Sequence, residues 1–272
     1  MDQNSPIGVF DSGLGGLTVT RAIRSALPNE SLIYLGDTAR VPYGTRSAQT
    51  IIRYARICAR HLSTHDIKFL VVACNTVSAV AVDVLRVELD IPVLGVIVPG
   101  ARAGVRACGT GRIGVIATAG TVASGAYTRA VAAEGTRVEV IAQPAPLLVP
   151  LVEEGWLEGE VPRLAVRRYL EPLAQKDIGA LVLGCTHFPL LRAVIETELH
   201  ALAGKAVPVV DSAEATAAEL ASMLEARTLQ TTRTTPGGLE LVVTDTPRQF
   251  TEMASRFLGR DVAELSVRQV DL

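Results

Sequence analysis

Lysine is scarce in this chain: Lys68, Lys176 and Lys205 are the only three. None sits in a glycine-rich or strand-end motif, where a lysine that forms a Schiff base with pyridoxal phosphate would be expected. Cysteine is also sparse. The four thiols, Cys58, Cys74, Cys108 and Cys185, are too few in 272 residues for a disulfide framework, so free thiols in a reducing cytoplasm are expected. No Cys-x-x-Cys and no clustered histidine pair is present, which argues against zinc and leaves no expected metal. Charge of one sign never accumulates. Formal net charge is −2, and without a basic stripe nucleic acid is not an expected partner. No apolar run approaches the roughly eighteen residues of a membrane span. The stretch Met1-Asp2-Gln3-Asn4-Ser5-Pro6 lacks a cationic start with an apolar core, so a signal peptide is not expected.

What is present is apolar residue in abundance, 49% of the chain, arranged in short β-branched runs. Phe69-Leu70-Val71-Val72-Ala73 ends in Cys74-Asn75-Thr76, and Ala180-Leu181-Val182-Leu183-Gly184 ends in Cys185-Thr186-His187. Both runs read as fully buried strands of a parallel sheet. Each delivers a thiol and hydrogen-bonding side chains to a strand's C-terminal end, the edge where open α/β sheets bind ligands. A helix following each thiol is expected to lower its pKa through the positive end of the dipole. Cys58, on a helix face, and Cys108, near a helix end, read as space-filling thiols.

Further strands are expected at Ile7-Gly8-Val9-Phe10, Ser31 to Leu35, Ile91 to Ile97, Ile113-Gly114-Val115-Ile116 and Leu239 to Thr244. Helices are expected at Leu17–Leu27, Ser47–His65, Val98–Ala107, Ala213–Arg227 and Pro247–Leu258. The stretch Gly36-Asp37-Thr38-Ala39-Arg40-Val41-Pro42-Tyr43-Gly44 is too punctuated for either element and reads as a polar loop beside a site. Ile113-Gly114-Val115-Ile116 echoes Ile7-Gly8-Val9-Phe10, Cys185 echoes Cys74, and Val207-Pro208-Val209 echoes Ile91-Pro92-Val93. Three echoes in the same order point to two copies of one βα unit. The expected fold is α/β: two pseudo-symmetric lobes, each a mostly parallel sheet flanked by helices, with the site in the cleft between them. Residues 1–97 would form the first lobe, 98–208 the second, and 209–272 would return to complete the first.

Facing thiols suit proton abstraction from one side of a carbon and proton delivery on the other, which inverts a stereocentre. A C–H beside a carboxylate is a very weak acid. Positioned acid–base groups supply about 10²–10⁴-fold, and electrostatic stabilisation of the carbanion must supply much of the rest. Asn75, Thr76, Thr186 and nearby backbone N–H groups are the donors on offer. The Gly13-Leu14-Gly15-Gly16 turn is only a weak phosphate-cradle signal, since it lacks both the Walker Lys-Ser/Thr and a strict Gly-x-Gly-x-x-Gly.

The stretches Phe10 to Val19, Gly36 to Gly44, Ala73 to Thr76 and Leu183 to Leu190 together closely resemble those of bacterial glutamate racemases. The resemblance covers nearly the whole chain, and the 36–44 loop is its most specific part. It implies cofactor-independent interconversion of L- and D-glutamate, supplying D-glutamate for peptidoglycan. By position, Cys74 would take the α-proton of D-glutamate and Cys185 that of L-glutamate. Asp11 would assist the first thiol and His187 the second, with Glu153 a further carboxylate. Asp11, Ser12, Tyr43, Gly44, Asn75, Thr76, Thr186 and His187 map onto substrate-binding positions, and Thr118 and Thr121 onto secondary contacts. The family often has a cysteine where Ala145-Pro146-Leu147 stands here, which leaves Glu154 as an alternative to Glu153. Asp11 and Ser12 could also serve as helix caps, Asp37 with Thr38 as a turn, and His187 as a structural histidine. The expected partners are glutamate as a small-molecule substrate and a second copy in a homodimer, with no membrane. Rival readings are a racemase of aspartate or another acidic amino acid, and a carboxylate-binding protein without turnover.

Overall fold

A computed structural model describes residues 2–245, 247–259 and 267–272. The chain begins with β1 (Ile7–Asp11), α1 (Leu17–Ala26), β2 (Leu32–Gly36), α2 (Ala48–Ser63), β3 (Phe69–Val72), α3 (Asn75–Glu88) and β4 (Val93–Gly95). It continues through α4 (Ile97–Cys108), β5 (Arg112–Ala117), α5 (Ala119–Ala123), α6 (Ala126–Ala133), β6 (Glu139–Pro144), α7 (Leu148–Glu153), α8 (Glu160–Ala174) and β7 (Ala180–Gly184). The remainder is α9 (Arg192–Ala203), β8 (Val209–Asp211), α10 (Ser212–Ala226), β9 (Leu239–Val243), α11 (Pro247–Leu258) and β10 (Val267–Gln269).

All strand pairs are parallel, in two sheets. The larger has the order β10-β9-β2-β1-β3-β4 and the smaller β6-β5-β7-β8. Strands of a parallel sheet are covered on both faces by their crossover helices, so they tolerate no polar alternation. β1, β2, β3 and β7 are buried at every position. The repeat is visible in the topology: β2-β1-β3-β4 and β6-β5-β7-β8 run in the same order, and the strands before Cys74 and Cys185 occupy the third place in each. β9 and β10 extend only the larger sheet, through pairing of β9 with β2.

One strand departs from the expected boundary. Residues 209–211 form β8, which pairs with β7 in the smaller sheet rather than returning to the larger one. As the counterpart of β4 it completes the second copy of the repeat; α10 then packs against α1, and β9 rejoins the larger sheet. Nor are the two sheets energetically separate. A single buried cluster runs from Ile7, Val9 and Leu17 on one side to Leu183, Phe188, Ala213 and Leu220 on the other. Each fully buried aliphatic side chain of this kind contributes about 1.5–3 kcal/mol. Cys58 is buried, as expected of a space-filling thiol, but Cys108 is partly exposed at the end of α4, where its Sγ donates to the Thr110 carbonyl at 3.1 Å.

Local chemistry fixes where the helices start. Ser47 caps α2 by accepting from the Thr50 N–H at 3.3 Å, and Asp211 caps α10 by accepting from the Ala213 N–H at 2.7 Å. At the cleft edge, Gly36 makes room for a turn. A Cβ there would lie 2.1 Å from the carbonyl oxygen of Gly13, which Tyr34 Oη holds by a 2.9 Å hydrogen bond. Gly36→Ala is therefore expected to destabilise the protein by about 1–3 kcal/mol, the range for overpacking a filled site. Urea unfolding checks it, and an unshifted midpoint would mean that the 11–13 turn yields freely.

Candidate active site

The C-terminal ends of β1, β3 and β7 meet at one cavity of about 430 Å³. Ser12, Tyr43, Gly44, Cys74, Asn75, Thr76, Thr118, Glu153, Cys185, Thr186 and His187 all line it, so both thiols open onto the same space. Two of the expected site residues do not. Asp11 is 1% exposed beneath the Ser12–Gly13 turn, and Thr121 is buried behind Thr118. Leu14, Val41, Pro42, Pro146 and Val149 complete an apolar wall.

On the β3 side, Cys74 is the N-cap of α3, and Ser12 Oγ donates to its Sγ at 3.3 Å. The helix position was expected to depress this thiol, but burial pushes it up to about 12, helped by the nearby Asp11 charge. The Ser12 hydroxyl and the Val77 N–H pull the other way without overcoming desolvation. Burial thus favours the protonated thiol of Cys74. Asp11 is itself pushed up by burial, against the Gly13 N–H that donates to its Oδ2 at 2.9 Å. Its Oδ1 has no partner among the described residues.

The β7 side is dressed differently. Cys185 is followed by a 3-10 turn, Phe188–Leu191, before α9 begins, so no α-helix starts directly at this thiol. Its Sγ lies 3.9 Å from His187 Nδ1, and His187 Nε2 is 2.9 Å from Glu153 Oε1. Burial opposes the charged imidazole, but the hydrogen bonds to Cys185 and Glu153 outweigh it and raise His187 to about 10. Glu153 is the carboxylate that reaches the cavity, while Glu154 is exposed to solvent. The last helix braces this arrangement from outside: Phe257 packs edge-on against the His187 ring at 5.3 Å, and Arg256 donates to the Val152 and Glu153 carbonyls at 3.1 and 2.7 Å. Nothing in the local sequence around His187 signalled that contribution.

The two sheets touch tightly at the cavity floor. Thr18 Oγ1 donates to the Thr186 carbonyl at 2.9 Å, and a Cβ on Gly15 would lie 2.3 Å from Thr186 Oγ1 and 2.5 Å from the His187 ring. Gly15 is glycine because the second thiol's loop occupies that space. Facing it, the hydroxyls of Thr76, Thr118 and Thr121 form a triangle with sides of 2.9, 3.3 and 3.0 Å. Thr121 supports the two hydroxyls that reach the cavity. The 36–44 loop is anchored through Asp37, which is fully buried. Its carboxylate accepts from Arg40 Nε at 2.7 Å, from Thr244 Oγ1 at 2.9 Å and from the Tyr43 hydroxyl. Tyr43 and Gly44 are thereby fixed at the cavity rim, and the Gly44 carbonyl accepts from the Gly120 N–H at 3.1 Å across the cleft.

This is a compact site with a thiol and an acid–base partner on each flank, donor hydroxyls between them and apolar walls that limit water. Known proteins share its frame. The sequence model of the family described as Asp/Glu/Hydantoin racemase matches residues 7–220. A glutamate racemase of Geobacter metallireducens is 48% identical over 266 residues, which cover 98% of this chain and 96% of that protein. The crystal structure of a glutamate racemase isoform from Bacillus anthracis superposes with a TM-score of 0.93 at 38% identity, covering 99% of this chain and 98% of that one. A Francisella tularensis glutamate racemase, solved in complex with D-glutamate, gives 0.89 at 36% identity and covers 98% of each chain. With the matched stretch running through both cysteine turns and relatives aligned from end to end, the chain belongs to the Asp/Glu/Hydantoin racemase family.

Proposed function

We infer that the protein interconverts L- and D-glutamate by a two-base mechanism in which its own side chains move the protons. The observation that carries this reading is the pair of thiols, from equivalent strands of the two repeats, lining one cavity with Ser12 beside Cys74 and His187 beside Cys185. Cys74 takes the α-proton of D-glutamate while the Cys185 thiol delivers one to the opposite face of Cα; from L-glutamate the roles exchange. Asp11 assists Cys74, and His187, held by Glu153, assists Cys185. The donors from Thr76, Thr118 and Thr186 receive the α-carboxylate, onto which negative charge flows as the proton leaves. Ser12, Tyr43 and Gly44 complete the pocket around the substrate. Fixed dipoles in a small, largely apolar cavity stabilise that charge more effectively than mobile water does.

Glutamate is favoured over aspartate by the 36–44 loop and by the naming of the close relatives as glutamate racemases. The D-glutamate formed is the enantiomer used in peptidoglycan. Two lobes built on the two sheets, a cytoplasmic location and a homodimeric assembly belong to the same proposal. Among the described residues, no helix is long and apolar enough to cross a membrane.

The test is incubation of each glutamate enantiomer in deuterium oxide, following optical rotation and deuterium at Cα. Loss of rotation with deuterium in the product enantiomer is expected. Turnover of aspartate alone would replace glutamate as substrate, and no exchange with either acid would leave only a carboxylate-binding protein.

A further inference from the structure

Asn75 lies beside Cys74 and lines the cavity, but half of its amide is engaged elsewhere. Its Nδ2 donates to Tyr127 Oη at 2.9 Å, whereas its Oδ1 is buried with no partner among the described residues. An acceptor left bare in a buried site is costly, about 1–3 kcal/mol, and calls for a donor that arrives from outside.

The orientation of the amide follows from the groups behind it. Tyr127 is buried in the smaller sheet's half of the molecule, on α6, and does not line the cavity. Its second polar neighbour is the Ser212 side chain, at the start of α10. Ser212 Oγ donates its proton to the Leu183 carbonyl at 3.0 Å, so towards the phenol it has only lone pairs to offer. The phenol oxygen accepts from Asn75 Nδ2, and the Ser212 proton goes to the backbone of β7, just before Cys185. A glycine keeps the passage tight: a Cβ on Gly100 would stand 3.0 Å from Ser212 Cβ and 3.4 Å from the phenol oxygen.

We propose that Tyr127 is a positioning residue that locks the Asn75 amide with its carbonyl oxygen towards the cavity, as an acceptor for the α-ammonium of the substrate. The proposal rests on the reading of the cavity as a glutamate site. An ammonium is the substrate group with protons to give, and both carboxylates of glutamate are acceptors that this oxygen would repel. The lock therefore selects for a free amino group and sets which end of the Cα substituents faces Asn75. Removing the phenol oxygen leaves Nδ2 as the unpaired, buried end, so the amide turns over and presents N–H groups to a cation.

The test compares Tyr127→Phe with wild type, using D-glutamate and glutarate, which keeps both carboxylates and lacks the ammonium. Dissociation constants come from calorimetry and KM and kcat from circular dichroism. Loss of one hydrogen bond to a charged group should weaken glutamate binding and raise KM by roughly tenfold or more, with kcat far less affected. Glutarate affinity should stay within about twofold, since hydrogen bonds made by its carboxylates do not involve this oxygen. Unchanged glutamate affinity would overturn the proposal, as would equal weakening of both ligands, which would mark a general loosening of the site. Binding is read separately from turnover. Wild-type protein that binds glutamate without racemising it would sink the racemase reading and leave the comparison intact.

Discussion

Cys74→Ser and Cys185→Ser are each expected to lower racemisation by at least about 10³-fold, with the thermal midpoint nearly unchanged. A serine hydroxyl fills the same space but is a far weaker acid than a thiol and cannot serve as base at neutral pH without an activating partner. Positioned acid–base catalysis alone is worth about 10²–10⁴-fold, and the two-base reaction needs both groups in every turnover. The variants should differ in what survives. With Cys185 replaced, Cys74 can still exchange the α-proton of D-glutamate with solvent, and with Cys74 replaced the same holds for Cys185 and L-glutamate. Deuterium incorporation without inversion, from one enantiomer in each variant, is the expected signature. Turnover within tenfold of wild type in either variant would mean that a single base does the work.

His187→Asn should act through Cys185, which every turnover uses. The imidazole, raised to about 10, stays cationic across the neutral range and lies 3.9 Å from Cys185 Sγ. Its loss should reduce kcat/KM by about 10²-fold or more, equally for the two enantiomers. The same group carries a stability signature. Its proton is held more tightly folded than at the ordinary value of 6.5, so the stabilisation is complete below about 6.5 and gone above about 10. The asparagine variant should therefore lose most stability relative to wild type at the acid end of that window. Denaturant unfolding at several pH values checks this, and a constant difference across the window would mean that the imidazole is neutral in the fold.

Much of the frame was legible because parallel strands and their crossover helices leave a strong imprint. Phe69–Val72 and Ala180–Gly184 are continuous apolar runs because both faces of each strand are covered, and the thiols follow at the ends where such sheets bind ligands. The echo of β1 by β5 and of Cys74 by Cys185 became an identical strand order in the two sheets. β6 was missed, since it lies at the edge of the smaller sheet and is only partly buried, with no clear period of two. The fate of Cys74 was missed for another reason. A strand-to-helix turn signals a helix dipole, whereas how deeply the thiol is buried depends on segments far away in sequence. The support from Phe257, Arg256 and Tyr127 is likewise long-range: each belongs to a helix chosen by packing, and none carries a local motif.

The unequal surroundings of the two thiols, a buried carboxylic group behind one and a histidine–glutamate pair behind the other, have a thermodynamic limit. Mirror-image amino acids have identical free energies in water, so their ratio at equilibrium is fixed at one to one whatever protein stands between them. The quotient kcat/KM must then be the same in both directions. Any lopsidedness engineered into one flank can alter affinity and maximal velocity for the two enantiomers only in matched proportion.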